Sequence, residues 1–271
     1  MGQTPSHPQP NARLQVIAAG LPRTGTTSLS LALSILLNGP VYHAGIQHIL
    51  SYPDEKPLRR AIKLLERTPY RNASDRQVVE DTLKGLFDSG YVAVADSPYA
   101  QFTPELLHLY PHTIVLCTTR PTQPWLHSLS QLLRAGSLAT TYKTALVPIA
   151  RLFPTYTPLL TSTRWKEIYS HPDGSPMEMY EVPERHVEWL KEVVPKERLF
   201  FVDVREGWGP ICEALGMEVP EGVPFPRVND GDEVVRIARE FVRRGMVRWA
   251  VVGSVLVVLG AVMWGIWWKS T

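Results

Sequence analysis

The chain has 271 residues, and its 28 Lys and Arg against 26 Asp and Glu leave a formal net charge of +2. So even a balance gives no nucleic-acid footprint, and the length suits one sizeable domain. Two cysteines, Cys117 and Cys212, both in apolar stretches, leave no basis for a disulfide framework or a cysteine metal centre and fit a reducing compartment.

Residues 1–13 carry three prolines and no apolar run, so they are expected to be disordered, and they lack the apolar stretch of a secretory signal. Met1-Gly2 with Ser6 matches an N-myristoylation pattern. Val16-Ile17-Ala18-Ala19 reads as a buried strand that ends at Gly20. The loop Leu21-Pro22-Arg23-Thr24-Gly25 follows, and Thr26 and Thr27 then open a helix with Leu29, Leu33, Leu36 and Leu37 at helical spacing. Tyr42-His43 marks a second strand end. Residues 57–70 and 75–89 have helical periodicity, and between them Asn72-Ala73-Ser74 matches a glycosylation sequon that a cytosolic chain would leave bare. A strand over 91–95 leads into the turn Asp96-Ser97-Pro98, and a short helix is predicted over 104–110. His108 and His112 read as surface residues of that helix and the turn beyond it. The strand over 113–119 ends at Arg120, and the helix over 122–136 carries Ser128. The stretch to residue 169 reads as helical, broken at Pro148, Pro154 and Pro158, and the polar loop 170–178 is a candidate lid. An amphipathic helix over 183–194 precedes the last strand, 199–204. Strands alternating with helices imply an α/β fold with a parallel, doubly wound sheet of about five strands.

The glycine loop is built to hold an anion. Backbone N–H groups at a helix start point at the ligand, the helix dipole favours negative charge there, and Gly25 permits close approach. Gly20 and Gly25 are spaced as in the nucleotide-binding P-loop, G-x-x-x-x-G-K-[ST], but Thr26 stands in place of the lysine and Thr27 takes the hydroxyl position. Without that lysine a kinase or NTPase reading loses a stabilising charge on the terminal phosphates. The loop's cation is Arg23 instead. A second anion site is legible at Arg120, whose guanidinium fork suits a phosphate, with Ser128 adding a hydroxyl from the next helix.

Arg23-Thr24-Gly25-Thr26-Thr27 resembles the 5′-phosphosulfate loop of sulfotransferases, and Arg120 with Ser128 resembles their 3′-phosphate clamp. Tyr42-His43, Asp96-Ser97-Pro98, Tyr110-Pro111 and the late blocks 198–215 and 224–230 extend the likeness. The chain thus resembles the sulfotransferase-like P-loop family common in fungi. The resemblance implies a domain over 14–232 that binds 3′-phosphoadenosine 5′-phosphosulfate through Arg23, Thr24, Gly25, Thr26, Thr27, Arg120 and Ser128. It implies transfer of the sulfuryl group to a hydroxyl or amine of a small acceptor, without a metal. The ligand would lie beyond the carboxyl ends of the strands. Two departures stand out. Many sulfotransferases have lysine where Arg23 stands, and an arginine supplies charge and hydrogen bonds but no proton. The late Arg-Lys-Gly loop of cytosolic sulfotransferases has no counterpart, and Arg227 is a candidate substitute. Two residues qualify as the base: His43, whose side-chain type titrates near neutrality, and Asp96. A protein that binds a nucleotide or phosphate without sulfuryl transfer is the alternative reading.

Residues 249–268 form a charge-free run with tryptophans at both ends (Trp249, Trp264, Trp267, Trp268). At about 1.5 Å per residue a helix of this length crosses a hydrocarbon core of about 30 Å. Arg236, Arg239, Arg243, Arg244 and Arg248 precede it, within a basic juxtamembrane segment over 233–248, and only Lys269 follows. That bias places the domain on the cytosolic side, tail-anchored in an endomembrane, with the basic segment near anionic headgroups.

Overall fold

Five short apolar runs form one parallel sheet: β1 (Val16–Ala18), β2 (Val41–His43), β3 (Ala93–Ala95), β4 (Ile114–Thr118) and β5 (Leu199–Val202), in spatial order β2-β3-β1-β4-β5. The computed structural model describes residues 4–51, 53–135, 144, 146–228 and 230–270. Side chains alternate between faces along a strand, so each strand feeds two cores. Ile17, Tyr42, Val94, Val115 and Cys117 enter one. Val16, Ala18, Val41, Ala93, Ala95 and Leu116 enter the other. Burial on both faces is why these strands read as unbroken apolar runs rather than alternating ones.

Helices cover both faces, which makes the sheet doubly wound. On the second core lie α1 (Thr26–Leu36), through Leu29 and Leu33, and later α10 (Gly209–Leu215), through Ile211, Cys212 and Ala214. The first core takes α2 (Ala44–Leu50), α3 (Lys56–Glu66), α4 (Ala73–Phe87), α5 (Thr103–Leu109) and α6 (Thr122–Ala135). It also takes α7 (Phe153–Ser162), α8 (Arg164–Ile168) and α9 (Val182–Val193). Asn72 is the N-cap of α4, its side chain accepting from Asp75 N at 3.0 Å, so the sequon asparagine has a local structural use.

Three expectations give way to the structure. Residues 4–13 were expected to be disordered, yet they dock on the domain. Ser6 Oγ donates to Val41 O, Gln47 Nε2 donates to Ser6 O at 2.7 Å, and Gln9 N donates to Gly90 O at 2.8 Å. Their polar, proline-rich composition reveals no core of its own, and their partners lie far along the chain. Met1 and Gly2, with the acylation pattern they carry, lie outside the described residues. Pro154 and Pro158 do not break the helical stretch: Pro154 sits in the first turn of α7, where no N–H is needed, and the helix runs through Pro158. Residues 170–178 form a self-bonded turn, with a Ser170–Pro176 bridge and Asp173 capping Ser175 N at 2.9 Å, and they do not border the cavity described below.

The C-terminal segment is one helix, α11 (Asp230–Ser270), in which the basic stretch and the apolar stretch are continuous. It packs along α6, buries Phe241 in the first core, and donates from Arg248 NH1 to Leu146 O at 2.6 Å. Its apolar part, Arg239–Trp268, is long enough to cross a membrane and has no share of its most apolar window buried.

Candidate active site

Parallel pairing in register sets the strand ends side by side: Ala18 lies beside Ala95 and Leu116, and His43 beside Ala95. Every loop that leaves a carboxyl end therefore emerges on one edge. That edge carries His43 at the end of β2, the glycine loop after β1, Asp96 after β3, Arg120 after β4 and Asp203 after β5.

Two glycines set the path of the loop. A Cβ on Gly20 would lie 1.9 Å from Thr118 Oγ1, so only glycine lets the end of β1 pass β4. Gly25 caps α1 at φ 103°, and a Cβ there would lie 2.5 Å from Val204 Cγ2. The first turn of α1 has no side-chain cap and no acidic residue, which leaves its N–H groups and dipole to the cavity. Arg23 also sits in the left-handed region, at φ 72°. The loop is held from β4 and α6. Trp125 Nε1 donates to Pro22 O at 2.8 Å, and Arg120 NH1 donates to Arg23 O at 3.0 Å. Thr24 Oγ1 lies 2.6 Å from Leu21 O and 2.5 Å from Thr118 Oγ1. Arg23 Nε donates to Ser128 Oγ at 3.0 Å.

The loop and its contacts with the β4–α6 region border a cavity of about 380 Å³. Of the residues expected to hold an anion, Arg23, Thr24, Gly25, Arg120 and Ser128 line it together. Thr26 and Thr27 do not: their hydroxyls turn toward His43 Nε2, at 3.2 and 3.3 Å. Arg227 does not line it either, and donates to Arg205 O at 3.1 Å. The cavity adds six polar residues that the sequence reading assigned to no site, His127, Gln131, Asp203, Arg205, Ser28 and Thr119. The first two were findable, since Pro124, His127, Ser128 and Gln131 share one helical face at i, i+3, i+4 and i+7. Arg205 is paired through Nε with both Asp203 oxygens, at 3.0 and 2.9 Å, which holds the Asp203 carboxyl below its usual range.

His43 and Asp96 form a second cluster behind the loop, outside the cavity lining. His43 Nδ1 accepts from Ile46 N at 3.4 Å and so caps α2. An imidazole that accepts at Nδ1 carries its hydrogen on Nε2, which faces the Thr26 and Thr27 hydroxyls. Both ring nitrogens are thus engaged. Asp96, at φ 76°, accepts from Gly45 N at 3.3 Å through Oδ2, which lies 3.7 Å from His43 Nδ1. Among the described residues its Oδ1 is buried without a hydrogen bond, as are Ser97 Oγ and both amide atoms of Gln101. These four atoms belong to three residues, Asp96, Ser97 and Gln101, of the segment between β3 and α5. Tyr156 is bonded to His48 Nδ1 at 2.9 Å; burial first, and the Asp96 charge second, hold its phenol well above the usual range. Among the described residues no three His, Cys, Asp or Glu side chains converge on a metal position.

The fold and its edge thus define a parallel α/β protein that gathers guanidinium groups and an open helix start around one cavity. A family model described as a sulfotransferase domain matches residues 15–234, and the chain belongs to that family. It is also similar to the Ava biosynthesis cluster protein M of Aspergillus versicolor, 29% identical over 244 residues, covering 83% of this chain and 85% of that protein.

Proposed function

We propose that this protein is a membrane-anchored sulfotransferase that moves the sulfuryl group of 3′-phosphoadenosine 5′-phosphosulfate to a hydroxyl or amine of a small acceptor. The observation that carries the reading is the meeting of Arg23 and Ser128 at 3.0 Å, which puts the loop and the β4–α6 clamp on one cavity. A donor with anionic groups at both ends of an adenosine needs two such sites within one ligand length. Arg23 and the α1 amides would face the phosphosulfate, and Arg120 and Ser128 the 3′-phosphate.

In the transfer, the acceptor oxygen or nitrogen forms a bond to sulfur as the sulfur–oxygen bond to the 5′-phosphate breaks. The leaving phosphate takes the electron pair, and its charge is stabilised by Arg23 and the helix start. The acceptor proton goes to a base, and we assign that role to Asp96. Its Oδ1 is the open acceptor in the buried cluster, whereas both His43 nitrogens are engaged. Ser97 and Gln101 supply a donor and an amide for the acceptor's polar group. The relative is named for a biosynthesis cluster, and by that likeness we place the acceptor among small products of secondary metabolism. The apolar stretch of α11 is read as a membrane anchor with the domain on the cytosolic side.

Thermal stabilisation by adenosine 3′,5′-bisphosphate, compared with ATP-Mg, tests the donor. The bisphosphate is expected to raise the Tm of the full chain and Arg120→Ala to remove the effect. Stabilisation by ATP-Mg alone would refute the donor assignment. Because neither base candidate borders the cavity, donor binding without transfer is the second reading; failure to turn over a panel of phenols, alcohols and amines despite tight bisphosphate binding would favour it.

A further inference from the structure

We propose that α11 is a rigid strut that seats the domain on the bilayer, with the edge at Leu146 against the lipid headgroups and the anion cavity turned away into water. This rests on reading residues 249–268 as a membrane span. Three observations carry it. First, α11 is unbroken from Asp230 to Ser270, so nothing in its secondary structure separates domain from span. Second, its domain half is fixed to the protein: Phe241 is 8% exposed within the first core, the helix lies along α6, and Arg248 donates to Leu146 O at 2.6 Å. Third, that anchoring contact falls on the residue before the charge-free run, which begins at Trp249. A helix pinned at residue 248 and immersed from residue 249 leaves no spacer, so the surface around Leu146 must meet the headgroups. Met246 and Val247, both about half exposed, add apolar surface at that level.

The other end of the strut sets the cavity. Val228 lines the cavity, its N–H donates to Ser28 Oγ at 3.1 Å, and α11 starts two residues later. Eighteen residues separate Asp230 from Arg248, up to ~27 Å of helix. Screening reduces surface potentials over about 8 Å at physiological salt, so this spacing holds a polyanionic ligand clear of an anionic membrane. A flexible tether would let the cavity fall into that repulsive zone.

Full-length protein in phosphatidylcholine–phosphatidylserine vesicles carrying a headgroup nitroxide lipid tests the seating. A fluorophore is placed at Leu146→Cys or at Glu221→Cys, beyond α10 on the opposite face of the sheet; Cys117 and Cys212, 1% and 2% exposed, do not compete for label. Several-fold stronger quenching at 146 than at 221 is expected. Insertion of an about 12-residue Gly/Ser linker between Arg248 and Trp249, with an r.m.s. reach of ~20 Å, should remove the difference. Equal quenching at the two sites in vesicle-bound protein, or a difference that survives the linker, would overturn the strut while leaving the anchor intact. Protein that fails to float with the vesicles would overturn the membrane reading itself.

Discussion

Arg23 and Ser128 are 105 residues apart in sequence and 3.0 Å apart between Nε and Oγ. The contact ties the loop after β1 to the helix after β4. Each residue alone is an ordinary polar group; joined, they line one cavity. If Ser128 also bonds a bound phosphate, Ser128→Ala should weaken adenosine 3′,5′-bisphosphate binding by roughly 10–100-fold, the ~1.5–3 kcal/mol of a hydrogen bond to a charged group. Titration calorimetry measures this directly. Unaltered affinity would remove Ser128 from the clamp.

Gly25 faces two constraints, a left-handed φ of 103° and Val204 Cγ2 at 2.5 Å from where a Cβ would lie. Gly25→Ala should cost ~1–2 kcal/mol for the backbone, with overpacking adding ~1–3 kcal/mol. Val204→Ala in the same chain should recover the packing part and leave the backbone part. Urea unfolding of the two single variants and the double variant gives the coupling; strict additivity would mean that Val204 is not the obstacle.

The two base candidates make separable predictions. Asp96→Asn should lower kcat by ~10²–10⁴-fold, the usual worth of general base catalysis, with bisphosphate affinity retained. His43→Asn should act through structure, because His43 caps α2 and bonds Thr26 and Thr27. A stability loss of ~1 kcal/mol with turnover largely preserved is expected. The reverse pattern, a stable His43→Asn protein without turnover and a fully active Asp96→Asn, would exchange the roles.

Two buried histidines predict an acid limb of stability. Burial lowers His186 to about 4, partly opposed by its bond to Ala19 O, and lowers His48 to about 3. Above ~6.5 both are neutral in the folded and the unfolded chain, and stability does not depend on them. Between ~6.5 and those lowered values the unfolded chain takes up protons that the native state refuses. Stability should therefore fall with pH by up to ~1.4 kcal/mol per unit for each histidine. His186→Asn should remove about half of that slope down to pH 4, read from urea midpoints at a series of pH values, and an unchanged slope would show that His186 does not contribute.

Much of the fold was legible because its signals are local. The apolar runs at Val16, Ala93 and Ile114 are buried on both faces, so composition alone marks them as strands of a parallel sheet. Gly20, Arg23 and Gly25 pointed to a tight, charged loop because close approach and loop charge are properties of residue type. The direction of the Thr26 and Thr27 hydroxyls was not legible, since it depends on an imidazole that β2 brings in from elsewhere in the sheet. Arg205 was missed because its place on the cavity depends on the β4–β5 pairing, which no local pattern reports.

By itself the sequence determined the α/β class, the glycine loop between the first strand and the first helix, and a charge-free helix long enough to span a bilayer. Each follows from residue chemistry and spacing within a single segment. Only the tertiary structure decided that Arg23, Arg120 and Ser128 share one cavity, that Asp96 Oδ1 is buried without a hydrogen bond while both His43 nitrogens have partners, that residues 4–13 are docked, and that the last helix is tied to the domain at Arg248. Those outcomes depend on which distant backbone carbonyl or side chain meets each donor, and chain proximity in a folded sheet is set by strand order, not by sequence neighbourhood.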